Sequence, residues 1–345
     1  MNKKTKCAVM GIGRLGYWHA VNASTRIQHV EVAAIFDIDI IRAEKVAREL
    51  EIPKFTSNAE EIFQDETIEA VIIATPTSTH FEFLKQASFA NKKIFVEKPL
   101  TIDIQEAKEI TSLMDKNHTY CQLGFMRRYD PAYAEAKKRI LAGDIGKPLY
   151  FKGISRDPDC PHESFIQNSG GIFVDVSIHD FDIARYLLAS EISKVSANGK
   201  VVKYPFVEKY NDIDQALSYI EFESGEAGDV EASRNAYYGY DIRAEIIGSE
   251  GTIVVGDNLQ QHNLHIFTKA GKTHNILPHF PERFADAYYL ELDDFFRGIR
   301  ENKHASVTAY DGLKALQISY AARSSYLTQQ PVSLAKEESA IANID

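Results

Sequence analysis

The chain has 345 residues, and because single hydrophobic cores rarely outgrow about 250 residues, this length favours two domains. Hydrophobic residues make up 44% of the chain and charged residues 26%, which is the composition of a globular protein. The 39 basic and 49 acidic side chains give a formal charge of −10, which argues against nucleic acid and anionic membranes as partners.

The cysteines and the N-terminus bear on cellular location. Cys7, Cys121 and Cys160 are scattered and form no C-x-x-C pair, so neither a disulfide framework nor a structural zinc site is predicted. The apolar stretch after the first lysines is broken at Gly11 and Gly13, which excludes a secretory signal, and no apolar run approaches the roughly 20 residues that span a bilayer. We therefore expect a cytoplasmic protein without membrane association.

Short apolar runs alternate with amphipathic segments through the first 125 residues. This alternation predicts a Rossmann-type, doubly wound parallel sheet with helices on both faces, formed by residues 1–125. The predicted strands lie at 7–10, 30–36, 70–74, 93–96 and 120–123, and the predicted helices end near Ala23, cover 40–50, follow His80 and cover 104–116.

The pattern changes after a helix over 132–141, since Pro148 begins a region that turns to a period of two between 194 and 276. We predict a second domain, residues 126–345, with a mostly antiparallel open sheet backed by helices, and with C-terminal helices able to pack on the first domain. Its predicted elements include strands at 216–222 and 228–233, joined by a Glu-Ser-Gly-Glu turn, and helices at 285–299 and 312–327.

One face of the predicted antiparallel sheet would be open to solvent. We expect that face to carry Tyr219, Val230 and Ala232 and to meet another subunit, because contiguous exposed apolar side chains mark interfaces. The alternative is a solvent surface of ordinary mixed polarity.

A glycine-rich loop follows the first predicted strand and opens the first predicted helix. In a dinucleotide-binding fingerprint, one glycine permits a tight turn, one lets the backbone approach a pyrophosphate, and one allows helix and strand to pack closely. We therefore predict a dinucleotide site with contacts from Gly11, Ile12, Gly13, Arg14, Leu15 and Gly16.

The acidic residue of such a fingerprint is Asp37, which lies 21 residues past Gly16 at the end of the second predicted strand. A carboxylate there accepts hydrogen bonds from the adenosine ribose and repels a 2′-phosphate, so we predict NAD as the cofactor, with Ile38 beside it. Arg42 weakens this argument because a nearby arginine accommodates a 2′-phosphate. The alternative for Asp37 is a cap on the following helix.

The next polar segment, Thr75-Pro-Thr-Ser-Thr-His80, follows the strand over 70–74 at the carboxyl edge of the sheet. Ligands bind at that edge in doubly wound folds. A loop that caps the next helix through Ser78 or Thr79 is the alternative. We predict that the cofactor cleft is lined here by Thr75, Pro76, Thr77 and His80.

Two short motifs carry the candidate chemistry. Glu97-Lys98-Pro99 ends the predicted strand over 93–96 at the same carboxyl edge, which directs a lysine into the cofactor cleft. Asp175 and His179 lie four residues apart at the start of a predicted helix and therefore on one face of it. The structural alternatives are a solvated lysine, a first-turn carboxylate favoured by the helix dipole, and a packed histidine.

In this order and spacing, Gly11-x-Gly-x-x-Gly16, Glu97-Lys98-Pro99 and Asp175-x-x-x-His179 resemble the glucose-fructose oxidoreductase / inositol dehydrogenase / MocA family over nearly the whole chain. The resemblance implies oxidation of scyllo-inositol or myo-inositol to an inosose by hydride transfer to NAD, in a homotetramer. Segments 124–133, 169–180 and 238–241 look like the inositol 2-dehydrogenases, and 11–17 with 228–234 look like the NAD-dependent scyllo-inositol type.

The resemblance also implies the catalytic roles. His179 is the general base, because an ordinary histidine titrates near neutrality, Lys98 donates to the developing alkoxide, and Asp175 orients both. No metal is expected, since Asp175 and His179 lack a third zinc ligand at suitable spacing and the family works without one.

A neutral polyol requires both hydrogen-bond donors and acceptors. Arg127 or Arg128 could instead be an ion-pairing surface residue, and the two tyrosines could be core. The cofactor set is completed by Glu97, Lys98 and Arg127, and the positions that match the inositol site are Lys98, Arg127, Asp157, Asp175, His179, Tyr238 and Tyr240.

This chain also departs from the family. It has Ser155 where the best-known myo-inositol dehydrogenases carry a histidine, and its segment 156–175 is longer, which leaves the preferred stereoisomer open. The competing hypotheses are a dehydrogenase of another sugar or polyol and a nicotinamide-binding regulator without turnover.

Overall fold

The computed structural model describes residues 4–262 and 264–334. They form two compact units: unit 1 contains residues 4–134 and 280–316, and unit 2 contains the described residues of 135–279 and 317–334. Unit 1 thus contains the described part of the predicted first domain together with residues 126–134 and 280–316, and the prediction had allowed for C-terminal helices packing on that domain. The ends of the predicted domains, 1–3 and 335–345, lie outside the described residues.

Unit 1 contains a parallel sheet in the order β3-β2-β1-β4-β5-β6. Side chains of the central strands are buried on both faces, with Cys7 through Met10 fully buried, which is why these strands are continuous apolar runs. The strand order reverses at β1, and ligands of such folds bind at the carboxyl ends beside the reversal. The strands are β1 (Thr5–Met10), β2 (Val30–Phe36), β3 (Lys54–Thr56), β4 (Ala70–Ile73), β5 (Lys93–Glu97) and β6 (Cys121–Gly124).

Helices connect the strands and carry recognisable start signals. The side chains of Asp39 and Asp103 each accept hydrogen bonds from two backbone N–H groups of the helix that follows. The α-helices are α1 (Arg14–Val21), α2 (Ile40–Glu49), α3 (Ala59–Gln64), α4 (His80–Phe89), α5 (Ile104–Lys116), α6 (Pro131–Ala142), α7 (Glu163–Ile166), α8 (Ile178–Leu188), α9 (Phe280–Glu301) and α10 (Ala309–Thr328). Shorter helical turns lie at Asn22–Arg26, Thr77–Thr79, Met126–Tyr129, Phe173–Ser177 and Pro205–Tyr210.

Unit 2 contains an open sheet in the order β12-β11-β7-β10-β9-β8-β15, in which β7 and β10 are parallel and the other pairs antiparallel. The predicted mostly antiparallel sheet is confirmed, and the central parallel pair is its one exception among the described strands. Its strands are β7 (Pro148–Arg156), β8 (Ile192–Lys200), β9 (Gln215–Phe222), β10 (Ala227–Ser233), β11 (Asp241–Gly248), β12 (Thr252–Val255) and β15 (Val332–Ser333); β13 (Ile266–Thr268) and β14 (Gly271–Thr273) form a separate hairpin.

The sheet face assigned from the sequence is partly wrong. Tyr219 is 44% exposed as expected, but Val230 and Ala232 are 1% and 0% exposed. Tyr219 pairs with Asp229, so Asp229 and Glu231 share its face while Val230 and Ala232 point to the buried side. The reason is strand register, which shifts every side chain by one face when the pairing changes by one residue.

Among the described residues, none of the helices combines the length and the apolar character needed to cross a membrane.

Candidate active site

The glycine loop of unit 1 is closely packed at two positions and open at the third. A Cβ on Gly16 would lie 1.7 Å from the carbonyl oxygen of Gly11, and one on Gly11, whose φ is +86°, would lie 2.8 Å from Thr75. A Cβ on Gly13 would meet no described atom within 4 Å. Gly13 precedes α1, so the space above it faces the positive end of a helix. These features fit a dinucleotide pyrophosphate.

Asp37 follows β2 and holds the glycine loop. Its Oδ2 accepts from the Ile12 N–H at 2.7 Å, and its Oδ1 accepts from the Asp39 N–H at 2.9 Å. Arg42 donates to both oxygens, at 3.1 and 2.7 Å. Burial would raise the pKa of Asp37, but Arg42 and the two backbone N–H groups hold that pKa below its ordinary value.

The structure decides the alternative for Asp37. The cap of α2 is Asp39, whose side chain accepts from the N–H groups of Ile41 and Arg42. Asp37 therefore does not cap the helix directly, and its carboxylate lies beside the glycine loop, where a ribose contact requires it.

The segment after β4 packs against the glycine loop through Thr75. Thr79 occupies the position that caps α4, but its hydroxyl contacts Thr75 and the Pro76 carbonyl instead of a helix N–H. His80 is 1% exposed, with its ring nitrogens 2.9 Å from the Pro99 carbonyl and 3.0 Å from the Thr75 carbonyl. Burial lowers the pKa of His80. The imidazole thus joins two loops at the carboxyl edge of the sheet.

Lys98 follows β5, directly after the buried Glu97. The Lys98 N–H donates to Glu97 Oε2 at 3.2 Å, and Glu97 Oε1 lies 2.5 Å from Nε2 of His19 on α1. A Cβ on Gly124 would lie 3.2 Å from Glu97 Oε2, so the glycine in β6 leaves the space that this carboxylate fills. The predicted lysine is therefore half-buried at the carboxyl edge, on a backbone fixed by its acidic neighbour.

The two arginines that follow β6 have different environments. Arg128 forms an ion pair of 2.9 Å with Asp311. Arg127 is 2% exposed, and its guanidinium lies 5.8 Å from the ring centre of Phe284. The ion-pairing alternative thus describes Arg128, while Arg127 is a buried cation of unit 1.

The candidate chemistry of unit 2 is at the start of α8. Asp175 lies in the turn Phe173–Ser177, and His179 lies in the first turn of α8, one helical turn further along. The Asp175 side chain is 15% exposed and His179 is 8% exposed. Both side chains are therefore partly enclosed and share a helix face, as the spacing predicts.

A residue that sequence reasoning missed is Arg234, which follows β10 and is fully buried. Its Nη2 lies 3.3 Å from Asp175 Oδ2 and 3.9 Å from Asp212 Oδ2. Its Nε and Nη1 have no hydrogen-bond partner among the described residues. Although burial opposes the charge, Asp175 and Asp212 raise the pKa of Arg234. The position was visible only as part of the segment 228–234.

Asp212 is the second carboxylate beside this guanidinium. Its Oδ1 accepts from the Ile172 N–H at 2.8 Å, where Gly171, with φ +87°, lets the backbone come close. Burial raises the pKa of Asp212 against the opposite influence of Arg234. The segment that leads into Asp175 is therefore fixed to the same charge cluster.

The other predicted substrate residues lie around these strands. Asp157 is half-buried, its N–H donates to the Ser233 carbonyl, and its charge contributes to raising the pKa of Arg234. Ser155, the position that departs from the family, is fully buried and donates to Asp180 at 2.5 Å. At this position, where the best-known myo-inositol dehydrogenases carry a histidine, the chain therefore has a buried hydroxyl that is hydrogen-bonded to α8.

The two tyrosines differ. Tyr240 is 7% exposed, which suits the core alternative, and its N–H donates to the Leu277 carbonyl. Tyr238 is 38% exposed, donates to Asp241 at 2.6 Å and accepts from Arg156 at 3.2 Å. Arg156 and Asp241 pair across β7 and β11 on the face that carries Tyr219, so Tyr238 belongs to the ion-pair network of that face.

Comparison with known proteins agrees with this geometry. Residues 5–125 match the NAD-binding Rossmann domain of an oxidoreductase family, and residues 137–334 match the C-terminal alpha/beta domain of the same family, GFO_IDH_MocA. The scyllo-inositol 2-dehydrogenase (NAD(+)) of Bacillus subtilis is 49% identical over 97% of both chains, and the myo-inositol 2-dehydrogenase of Thermotoga maritima is 34% identical over 95% of this chain and 98% of its own.

A solved structure is similar over nearly the same length. The scyllo-inositol dehydrogenase of Lactobacillus casei, crystallised with NAD(H) and scyllo-inositol, has a TM-score of 0.91 and 31% identity, covering 96% of this chain and 99% of its own. The chain belongs to the GFO_IDH_MocA family of NAD-binding oxidoreductases.

Proposed function

We propose that this protein is an NAD-dependent inositol 2-dehydrogenase that oxidises scyllo-inositol, ahead of myo-inositol, to the 2-keto product. The observation that carries the proposal is the buried guanidinium of Arg234 against Asp175, one helical turn from His179. The 49% identity to a relative named for scyllo-inositol supports the order of the two isomers.

Oxidation of a secondary alcohol removes a hydride from carbon and a proton from oxygen. NAD, when bound, supplies the hydride acceptor. We propose that His179 takes the hydroxyl proton, that Lys98 donates a hydrogen bond to the oxygen as negative charge develops, and that Asp175 orients these groups. Arg234 holds the Asp175 carboxylate through Nη2, so the orientation exists before substrate binds.

The charge arrangement suits a neutral polyol. Asp175 and Asp212 offset the charge of Arg234, so this cluster carries little uncompensated positive charge to attract an anionic substrate. Asp157 adds acceptors beside it. A ring of hydroxyls can use both kinds of group, which is what an inositol offers.

We also propose a homo-oligomer, with a tetramer as its form, assembled through the open face of the unit 2 sheet. Exposed apolar side chains on that face include Leu217, Tyr219 and Val254, which are 50%, 44% and 54% exposed. Ion pairs such as Arg156 with Glu231, at 2.8 Å, fill the space between them. Exposed apolar side chains that lie together on one face support a subunit contact there. We propose a cytoplasmic location as well.

The test of function is the absorbance of reduced nicotinamide when purified protein is mixed with NAD and scyllo-inositol, myo-inositol, chiro-inositol or glucose, each repeated with NADP. Turnover fastest with NAD and scyllo-inositol supports the proposal. A preference for glucose would favour the hypothesis of another sugar dehydrogenase. NAD binding without turnover on any substrate would favour the regulator.

The role of Lys98 has a matched control in the same strand. Lys98→Met should lower kcat by about 100-fold or more with little change in NAD binding, because removing one hydrogen-bond donor to a developing oxyanion costs about that much. Lys93 begins β5 at the opposite edge of the sheet, so Lys93→Met should leave kcat unchanged. Equal kcat in both variants would refute the role of Lys98.

A further inference from the structure

A buried acidic cluster lies directly behind Lys98 in unit 1. It consists of His19 on α1, Glu97 on β5 and Glu291 on α9, which are 0%, 6% and 0% exposed. One nitrogen or oxygen atom from each lies within 4.8 Å of those of the other two. The predicted mechanism uses none of the three side chains, and Glu291 lies 194 positions from Glu97 in the sequence.

The cluster has a charge that must be neutralised. None of the hydrogen-bond donors among the described residues reaches either carboxylate oxygen of Glu291, and Gln122 of β6 donates only to the Glu291 backbone carbonyl, at 2.8 Å. Burial raises the pKa of Glu291 well above its ordinary value, and the charge of Glu97 adds to that effect. An ionised carboxylate in such a place would cost several kcal/mol, so a proton or a cation has to accompany it.

The groups that face Glu291 come from every neighbouring element. They are the imidazole of His19, the carboxylate of Glu97, the amide of Gln122, which contacts the Glu291 backbone, and the phenol of Tyr129, whose pKa is raised by burial and by Asp294. The aromatic ring of Tyr288 covers His19 with ring centres 6.1 Å apart. His19 is therefore the group of this set that can carry positive charge.

The distance between His19 and Glu97 distinguishes a bound proton from a bound metal ion in this cluster. His19 Nε2 and Glu97 Oε1 are 2.5 Å apart. Two ligands of a tetrahedral zinc ion, each about 2.0–2.1 Å from the metal, are separated by about 3.3 Å. The observed distance is too short for two separate ligands of one metal ion and lies within hydrogen-bond range, so the histidine and Glu97 are hydrogen-bonded to each other through a proton.

We propose that Glu291 is a protonated acid that donates a hydrogen bond to Glu97, and that this bond, with the one from His19, holds Glu97 in place to position Lys98. In this arrangement Glu291 carries no charge, and Nε2 of His19 donates to the Glu97 carboxylate at 2.5 Å. Glu97 then presents Oε2 to the Lys98 N–H at 3.2 Å. Glu291 is a positioning residue, and this proposal rests on the proposed role of Lys98.

Infrared spectroscopy tests the proton without using activity. The difference spectrum between wild type and Glu291→Gln at pH 7 should contain a carbonyl band of a protonated carboxyl group, lost in the variant. Glu301→Gln at the end of the same helix is the control, because Lys303 lowers the pKa of Glu301 and its substitution should remove only a carboxylate band. A carboxylate band at Glu291, or one equivalent of a divalent metal by elemental analysis, would overturn the proposal.

Kinetics test the positioning. Gln at 291 can still donate an N–H to Glu97, so Glu291→Gln should keep kcat within about 3-fold, whereas Glu291→Met, which keeps the volume, should lower kcat by about 10- to 100-fold. The KM for NAD should not change in either variant, and the pH profile of kcat should shift only in the methionine variant. Equal kcat in the two variants would overturn the positioning role. If the methionine variant fails to fold, the infrared comparison still decides, and a failure of the proposed inositol activity would leave that result intact.

Discussion

Replacing Arg42 with alanine should tighten NAD binding. Asp37 has about four lone-pair positions on its two oxygens, and the N–H groups of Ile12 and Asp39 occupy two of them. Arg42 occupies the other two through Nε and Nη2. A ribose that binds both carboxylate oxygens must therefore displace the guanidinium, which is 46% exposed and can turn into solvent.

The magnitude follows from the exposure of this ion pair. Pairs with a half-exposed partner contribute about 0.2–1 kcal/mol, so displacing Arg42 costs NAD binding at most about 1 kcal/mol, or about 5-fold in Kd. Arg42→Ala removes that cost and should lower the Kd for NAD by up to about 5-fold. For NADP the sign reverses, because Arg42 is the cation available to a 2′-phosphate, and its loss leaves the phosphate facing a carboxylate.

Titration calorimetry with NAD and NADP on wild type, Arg42→Ala and Asp37→Ala measures both signs. Asp37→Ala should weaken NAD by about 10-fold or more, since hydrogen bonds to a charged group contribute about 1.5–3 kcal/mol, and should weaken NADP less. Weaker NAD binding by Arg42→Ala would refute the competition argument and would mean that Arg42 contacts the cofactor. Equal losses for both cofactors in Asp37→Ala would make Asp37 structural.

Three other predictions use features of the same two units. Gly13→Ala should fold like wild type, because its Cβ meets open space, yet it should lose NAD affinity, whereas Gly16→Ala should lower stability, because its Cβ would lie 1.7 Å from the Gly11 carbonyl oxygen. Urea unfolding and NAD titration of both variants measure the two effects separately. Wild-type NAD affinity in Gly13→Ala would contradict the placement of the pyrophosphate. Arg234→Met should lower the free energy of unfolding by about 3–5 kcal/mol and reduce kcat, and adding Asp212→Asn should restore part of the stability. If Arg234→Met is as stable and active as wild type, the buried guanidinium contributes neither to stability nor to catalysis. The folded-state pKa of Asp37 is lowered, so its contribution to stability is present above the ordinary pKa near 3.8 and is lost as pH falls through the folded-state pKa. The free energy of unfolding should therefore fall less in Arg42→Ala than in wild type between pH 5 and about pH 2. An identical dependence on pH in the two proteins would contradict this.

The cofactor half of the candidate site could be predicted from local spacing, because each of its residues directly follows a strand in the sequence. The glycine loop, Asp37 and Thr75 each follow a strand by a few residues, and parallel strands bring their carboxyl ends to one edge. Residue type could not predict which carboxylate caps α2, because Asp37 and Asp39 are both aspartates close to its start. In the structure Asp39 is the cap.

Strand pairing, which no local period encodes, explains what was missed. Arg234 meets Asp175 because the turn Phe173–Ser177 packs against β10. Val230 lies on the buried face because Tyr219 is paired with Asp229. Glu291 has the spacing of an ordinary helix charge, and only the fold brings it to Glu97. Sequence periodicity predicts which elements form, whereas register and strand order decide which side chains meet.

In each unit, buried charged groups hold one candidate catalytic side chain in place. We expect these buried groups to affect the reaction rate and not the choice between substrates. Lys98 follows Glu97, which is bonded to His19, and Asp175 is held by Arg234. Buried ionic groups add little net stability, so positioning is the more natural reason for both. Substitutions at His19 or Arg234 should therefore change kcat for scyllo-inositol and myo-inositol by the same factor, whereas Asp157→Asn, which alters an acceptor of the proposed substrate site, should change the ratio of the two kcat values. A changed ratio in His19→Gln would contradict this division, because no polyol hydroxyl reaches a fully buried side chain behind Glu97.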